Sequence, residues 1–138
     1  MSKTITVTAD INAVNTRTSL TSQGSVSAPS RIVPQGMSKI KKIVGQLTSD
    51  NLADDGAASA ILRLGGSAVL GGEQNIVLGS VGGQTVQSGS DAAPSASMPF
   101  VLEDADIDVR PGDTVEIAAD LAGVDPGDTS LAVTLIFG

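Results

Sequence analysis

The sequence of 138 residues contains no cysteine, no histidine, no tryptophan and no tyrosine. Without cysteine there is no disulfide and no thiol nucleophile, and without histidine the usual proton shuttle and the commonest zinc ligand are missing. A serine–lysine pair or a carboxylate dyad would still be available, but no spacing of the glutamates Glu73, Glu103 and Glu116 marks one. The sequence therefore predicts a protein that is not an enzyme and has no small-molecule substrate.

The chain also lacks the signatures of nucleotide and nucleic-acid binding. The paired glycines Gly71-Gly72 and Gly82-Gly83 are not followed by the lysine and hydroxyl residue of a phosphate-binding loop. A net charge of −7 and the lack of stacking aromatic residues disfavour nucleic acid as a ligand. We predict no cofactor, and nucleic-acid binding is not expected.

Long apolar runs are absent as well. Residues 1–20 lack the uninterrupted apolar segment of a secretory signal, and no run approaches the length of a membrane-spanning helix. We therefore expect no membrane span and no export through the secretory route.

Aromatic rings are limited to Phe100 and Phe137, so a core has to be built from valine, isoleucine, leucine and alanine. Sixteen glycines and six prolines divide the chain into short segments. Short segments separated by frequent turns are typical of β-sandwiches and barrels. We predict a single all-β domain over residues 1–138, an antiparallel two-sheet β-sandwich of the jelly-roll type.

The C-terminal region carries the clearest pattern. A Pro-Gly-Asp turn occurs at residues 111–113 and again at 126–128, and each copy precedes a run in which apolar and polar residues alternate. This alternation predicts two strands of a β-hairpin with one buried face. The residues expected to face the core are Val115, Ile117, Ala119, Leu121, Leu131, Val133, Leu135 and Phe137.

The same alternation predicts a first strand over residues 4–11. Residues 57–64 fit a strand better than a short helix, because glycines bracket the segment on both sides. Further short strands are predicted at residues 68–70, 75–81, 84–87, 98–102 and 107–109.

Residues 12–36 are rich in serine, threonine and asparagine, and we interpret them as an extended arm or a long loop covered by a partner. Residues 37–48 are predicted to form a strand with two partly apolar faces. This pattern is typical of a strand that is buried on one side and contacted by a partner on the other. The residues predicted to make subunit contacts are Arg31, Lys39, Ile40, Lys41, Lys42 and Ile43.

Charge is distributed unevenly along the chain. Residues 1–63 hold seven basic groups against four aspartates, a net charge of +3, whereas residues 64–138 hold one arginine against eleven acidic groups, a net charge of −10. One interpretation is an ordinary soluble acidic surface. The alternative is that identical subunits meet through their basic and acidic parts.

Three aspartates, Asp104, Asp106 and Asp108, fall on one side of an extended segment and could converge on Ca²⁺, which prefers several oxygen ligands. The EF-hand pattern is missing, because Val109 stands where that motif requires glycine. A solvated acidic loop is the preferred interpretation, and the calcium site is the weaker alternative.

Residues 31–44 (RIVPQGMSKIKKIV) and the terminal pair of Pro-Gly-Asp strands resemble small jelly-roll structural proteins of viruses, namely the capsid and cement (decoration) subunits of phages and archaeal viruses. The two segments cover about a third of the chain. The resemblance implies a homo-oligomeric shell protein, with a trimer as the local unit and other virion shell proteins as partners. It also implies a location in the virion, assembled in the host cytoplasm.

Two alternatives come from other classes of protein. One is an extracellular or surface filament subunit that assembles by strand addition at a sheet edge. The other is a small binding module stabilised by calcium. Pairing of residues 1–11 within their own fold would favour the shell protein, and insertion into a neighbour would favour the filament.

Overall fold

A computed structural model describes residues 3–11, 17–20, 22–23, 26–27, 31–50, 57–82, 96–124 and 128–138. Eleven β-strands and no helix occur within these ranges. The strands are β1 (Lys3–Asp10), β2 (Arg17–Ser19), β3 (Ser22–Gln23), β4 (Val26–Ser27), β5 (Lys39–Asp50), β6 (Ala57–Gly65), β7 (Gln74–Gly82), β8 (Ala96–Leu102), β9 (Ile107–Asp108), β10 (Glu116–Val124) and β11 (Asp128–Phe137).

The strands form two sheets in which every pairing is antiparallel. The larger sheet has the order β4-β3-β1-β11-β5-β8, with β9 also pairing with β5, and the smaller sheet has the order β2-β10-β6-β7. The predicted all-β, antiparallel two-sheet sandwich is confirmed.

The core lies between the two sheets and consists of aliphatic side chains that alternate along the strands. All eight core residues predicted on the last two strands are buried, and Phe137 is fully so. From the other strands, Val7, Leu47 and Leu62 reach the same core. Each such side chain stabilises the fold by about 1.5–3 kcal/mol through burial, which lets a core with one buried ring hold together.

The predicted C-terminal hairpin is wrong. β10 pairs with β2 and β6 in the smaller sheet, whereas β11 pairs with β1 and β5 in the larger sheet, so the two strands do not pair with each other. Their apolar faces meet across the core. A hairpin and a connection between opposed sheets require the same alternation, so the pattern alone could not distinguish them. The first Pro-Gly-Asp forms the expected turn, with Gly112 at φ 83°, and residues 125–127 of the second lie outside the described residues.

Simple alternation along residues 37–48 places Ile40 and Ile43 on opposite faces, and this assignment is wrong. Between Ile136 and Phe137 of β11 the pairing with β5 shifts, so that Lys41 is an extra residue in β5. This bulge changes which side chains point inward. Ile40, three residues before Ile43, therefore points into the core together with it, and both side chains are fully buried.

The predicted arm over residues 12–36 is corrected where the structure describes it. β2 pairs with β10, and β3 pairs with β1. Residues 31–33 continue along the smaller sheet, because Val115 N donates to the Arg31 carbonyl and Val33 N donates to the Asp113 carbonyl. These parts of the segment pack on their own chain rather than extending away from it.

The other predicted strands are partly confirmed by the structure. β6, β7, β8 and β9 confirm four predicted strands, and β6 settles the choice between strand and helix at residues 57–64. Residues 68–70 do not form the predicted strand; they lie in a turn with a single bridge between Val69 and Val109. The prediction for residues 84–87 lies outside the described residues.

One glycine of β5 is required by a close approach. A Cβ atom built on Gly45 would lie 2.5 Å from Phe100 Cζ and would collide with the Ala132 carbonyl oxygen. Gly45 pairs with Phe100 on β8 and with Val133 on β11, so the missing side chain leaves the ring room to pack against the core.

Candidate functional site

The lysines of β5 and the acidic loop after β8 lie side by side. β9 pairs with the first residues of β5, which sets Asp108 directly opposite Lys39. Lys39 Nζ lies 2.8 Å from Asp106 Oδ1 and 3.0 Å from Asp108 Oδ1, and Lys42 Nζ lies 3.6 Å from Glu103 Oε1. Two of the three lysines of β5 are thus paired with acidic residues that lie more than sixty positions away in the same chain.

The same contacts bear on the calcium alternative. The ammonium group of Lys39 occupies the place between Asp106 and Asp108 where a cation would have to bind. Within the described ranges, no group of three or more acidic side chains is arranged to hold a metal ion. Asp106 has φ 50°, a left-handed conformation that aspartate tolerates better than most residues.

The Lys39–Asp106 contact changes the ionisation of both partners. Hydrogen bonds from Lys39 to Asp106 and Asp108 raise the pKa of the lysine above 10.5, and the bond from Lys39 lowers the pKa of Asp106 below 3.8. Both groups are exposed, so solvent screens the pair and its contribution to stability is small.

The predicted subunit-contact residues do not form one surface. Ile40 and Ile43 are buried in the core of their own chain, so their side chains offer no area to a partner. The lysines belong to β5 of the larger sheet, whereas Arg31 lies beside residues 113–115 at the smaller sheet. Subunit contact through Arg31, Lys39, Lys41 and Lys42 stays a prediction.

Lys41 differs from its neighbours. It is exposed and has no ion pair among the described side chains, unlike Lys39 and Lys42. It lines an open groove of about 430 Å³ together with Glu103, Asp104 and Asp106.

A second candidate surface lies along the side of the sandwich where edge strands β7 and β8 approach each other. Val77 on β7 is 78% exposed, and Val101 on β8 is 56% exposed. β7 contains no charged residue and no proline over its nine residues. β8 contains Pro99, which lacks a backbone donor.

The sequence analysis missed this edge, because alternation identifies a strand but not its position in a sheet. The amino-acid composition of β7 was the one available indication that this strand lies at an edge. β7 combines apolar residues with uncharged polar ones, and it lacks the lysines and prolines that commonly protect edges.

Comparison with known proteins gives distant likenesses only. No family model matches the sequence, and no curated protein matches it. One similar solved structure is that of the Gx strain of infectious bursal disease virus, at 18% identity over 99% of this chain and 36% of that chain, with a TM-score of 0.40. A VP2 subviral particle of the same virus is 18% identical over 96% of this chain and 33% of that chain, with a TM-score of 0.35.

A third similar structure belongs to the disulfide-linked pili of Bacillus endospore appendages, at 11% identity over 99% of this chain and 86% of that chain, with a TM-score of 0.33. This chain spans about a third of the length of the viral chains that it matches. The described residues include no helix long and apolar enough to span a bilayer. Solved structures similar to this chain thus include chains of virus particles and of a pilus.

Proposed function

We propose that this chain is a non-enzymatic structural subunit that assembles with copies of itself, as a virion shell protein or a capsid-decorating (cement) subunit. The observation that carries the proposal is the position of β7, which has no strand paired on its outer side among the described residues. It is a nine-residue strand at the end of the smaller sheet, with Val77 largely exposed and without a charged residue.

An open strand edge presents unpaired backbone donors and acceptors, which another strand can satisfy. The other described edges are less suitable. β2 has three residues and β4 has two, which is too short for a stable ladder. β8 is interrupted by Pro99, whose missing N–H removes one donor from the ladder. β7 is therefore the edge best suited to contact a second subunit.

Composition supports a role in contact rather than in chemistry. The whole sequence lacks histidine and cysteine, so the commonest general base and the thiol nucleophile are absent. Location in the virion is part of the proposal and rests on the resemblance of residues 31–44 and of the Pro-Gly-Asp strands. The trimer and the presence of other shell proteins as partners belong to the same proposal. Mass spectrometry of purified particles tests the location.

Self-assembly can be tested by introducing a charged side chain on β7. Val77→Lys should shift the mass distribution of the concentrated protein toward the monomer, because paired edges would then bury an ammonium group or face a like charge. Leu70→Lys is the matched control, since it adds the same charge at an exposed apolar residue in the turn at residues 68–70, outside the surface formed by β7 and β8. Sedimentation over a range of protein and salt concentrations measures both. A wild-type protein that stays monomeric throughout would contradict the proposal.

A filament subunit is the second candidate, because a contact between two different surfaces of identical subunits produces an open filament when it does not close into a ring. The pairing of β1 with β11 of its own chain over eight residues disfavours donation of the N-terminal strand to a neighbour. Electron microscopy of the assembled protein distinguishes closed shells from filaments.

A further inference from the structure

A cavity of about 350 Å³ opens on the outer face of the smaller sheet. Gly65 and Ala118, both small, are among its lining residues, and so are Arg17, Arg31 and Arg63. Ala118 points outward between the inward-facing Ile117 and Ala119, yet it is only 8% exposed. Three of the four arginines of an acidic protein thus surround one site.

Two of these arginines already have partners. Arg63 Nε donates to Asp120 Oδ2 at 2.6 Å, and Arg63 Nη1 donates to Asn75 Oδ1 at 3.0 Å. Arg17 and Glu73 approach from opposite sides of the sheet, with Nη1 2.9 Å from Oε1 and Nη2 3.2 Å from Oε2. The second pair is exposed, so solvent screens it and it can rearrange readily.

Arg31 is different. Its Nε is buried and has no hydrogen-bond partner in the described part of the chain, and its guanidinium makes no ion pair there. Its backbone is held in place, because Val115 N donates to the Arg31 carbonyl at 2.9 Å and the next residue, Ile32, bridges to Thr114. A desolvated charged donor without an acceptor is unfavourable, and such groups commonly mark a missing ligand or water.

The charge balance leaves this arginine available. Among the lining groups, Glu73 is engaged by Arg17, and Asp120 beside the cavity neutralises Arg63. Glu116 also lines the cavity, but its side chain is exposed to solvent and forms no ion pair with a described residue. An incoming oxyanion would meet an arginine whose backbone is held in place and whose guanidinium group is partly desolvated and unpaired among the described residues.

We propose that this cavity binds an oxyanion, a carboxylate or phosphate group, with Arg31 as its principal donor and Arg17 as a second donor. Guanidinium groups bind such anions through two parallel hydrogen bonds, which lysine cannot reproduce. The anion is either a free small molecule or the acidic side chain of a second copy of the chain. The second source rests on the proposed function; the first does not.

Titration of the whole protein with inorganic phosphate and with succinate, at constant ionic strength, tests the binding. Arginine Nε–H resonances and melting temperature are the readouts. We expect a saturable shift of the Arg31 resonance in the wild type. The affinity, followed in the variants through the Arg17 resonance and the melting temperature, should fall at least tenfold in Arg31→Gln and less in Arg31→Lys. Arg110→Gln is the matched control, because Arg110 is an exposed arginine paired with Asp113 outside the cavity. A shift that does not saturate, or an equal loss in Arg31→Gln and Arg110→Gln, would overturn the proposal.

A second variant changes the shape of the cavity and leaves its charges in place. Ala118→Leu places a larger side chain among the lining residues, so binding should be lost while the ion pairs of Arg17 and Arg63 persist. Retention of full affinity in a folded Ala118→Leu protein would place the anion elsewhere and refute the site.

Sedimentation of the same variants separates the two sources. If the anion belongs to a second copy, Arg31→Gln weakens self-association and free phosphate competes with it. If the anion is a free molecule, Arg31→Gln abolishes binding without changing the assembled mass. A monomer that binds phosphate supports this site and contradicts the proposed function. A protein that assembles but binds neither phosphate nor succinate supports the proposed function and contradicts this site.

Discussion

The inward and outward faces of the two sheets differ in the interactions that their side chains make. On β11, Leu135 and Phe137 point inward and are completely buried, whereas Thr134 and Ile136, which alternate with them, are only partly covered. The outward face is instead joined by polar contacts across strands, such as the 2.9 Å hydrogen bond between the hydroxyls of Thr6 and Thr134. Stability thus depends mainly on the inner faces.

The largest effect should come from removing an inward ring. Phe137→Ala deletes the only fully buried aromatic side chain and should lower the free energy of unfolding by about 3–5 kcal/mol. Ile136→Ala, one residue away on the outward face, should cost about 1 kcal/mol, because that side chain is only partly buried. Urea denaturation of both variants measures the difference. Equal losses would mean that the two faces are not distinct in energy.

A smaller effect is expected from adding a single methyl group to the inner face. Gly45→Ala should cost about 1–3 kcal/mol, because the new Cβ would overlap the Phe100 ring and the Ala132 carbonyl. Gly71→Ala is the control, since its Cβ would meet only Gln74 Nε2, at 3.5 Å. Thermal unfolding compares the two. A Gly45→Ala protein as stable as the wild type would show that β8 can move away from β5.

The smallest effect concerns an outward ion pair. The pKa of Asp106, measured by NMR, should lie below 3.8 because of the hydrogen bond from Lys39. Since this pKa is lowered in the folded protein, the pair contributes stability above the unfolded value and loses it as the pH falls through the folded value. Lys39→Gln should return the pKa toward 3.8, and Lys41→Gln should raise it less, because Lys41 acts only through charge at a distance. A larger response to Lys41→Gln would contradict the contact.

Local alternation was sufficient to identify the strands and most of the core. Along residues 115–121 and 131–137 all the predicted inward residues are buried, since period two is the geometry of a strand. The inward or outward direction of the β5 residues at the bulge was predicted wrongly. The bulge arises from the shift in pairing between β5 and Ile136 and Phe137 of β11, and the alternation along β5 alone gives no sign of this shift.

The candidate sites were less predictable. The lysines and aspartates of the Lys39 cluster are evident in the sequence, but only the pairing of β9 with β5 brings them together. Arg17, Arg31 and Arg63 are far apart in sequence and share no motif. Arg17 and Arg63 come together because β2 and β6 flank β10, and Arg31 joins them because residues 31–33 lie beside residues 113–115, just before β10.

By itself the sequence determined that the chain forms β-strands, which residues along most of them are apolar, and that histidine and cysteine chemistry is excluded. These properties are local: they follow from side-chain periodicity and from residue types. Only the tertiary structure decided that β10 and β11 lie in opposite sheets, that β7 is the last described strand of the smaller sheet, and that three arginines share a cavity. Those outcomes depend on which strands pair, and pairing is set by the packing of the whole sandwich rather than by any one segment.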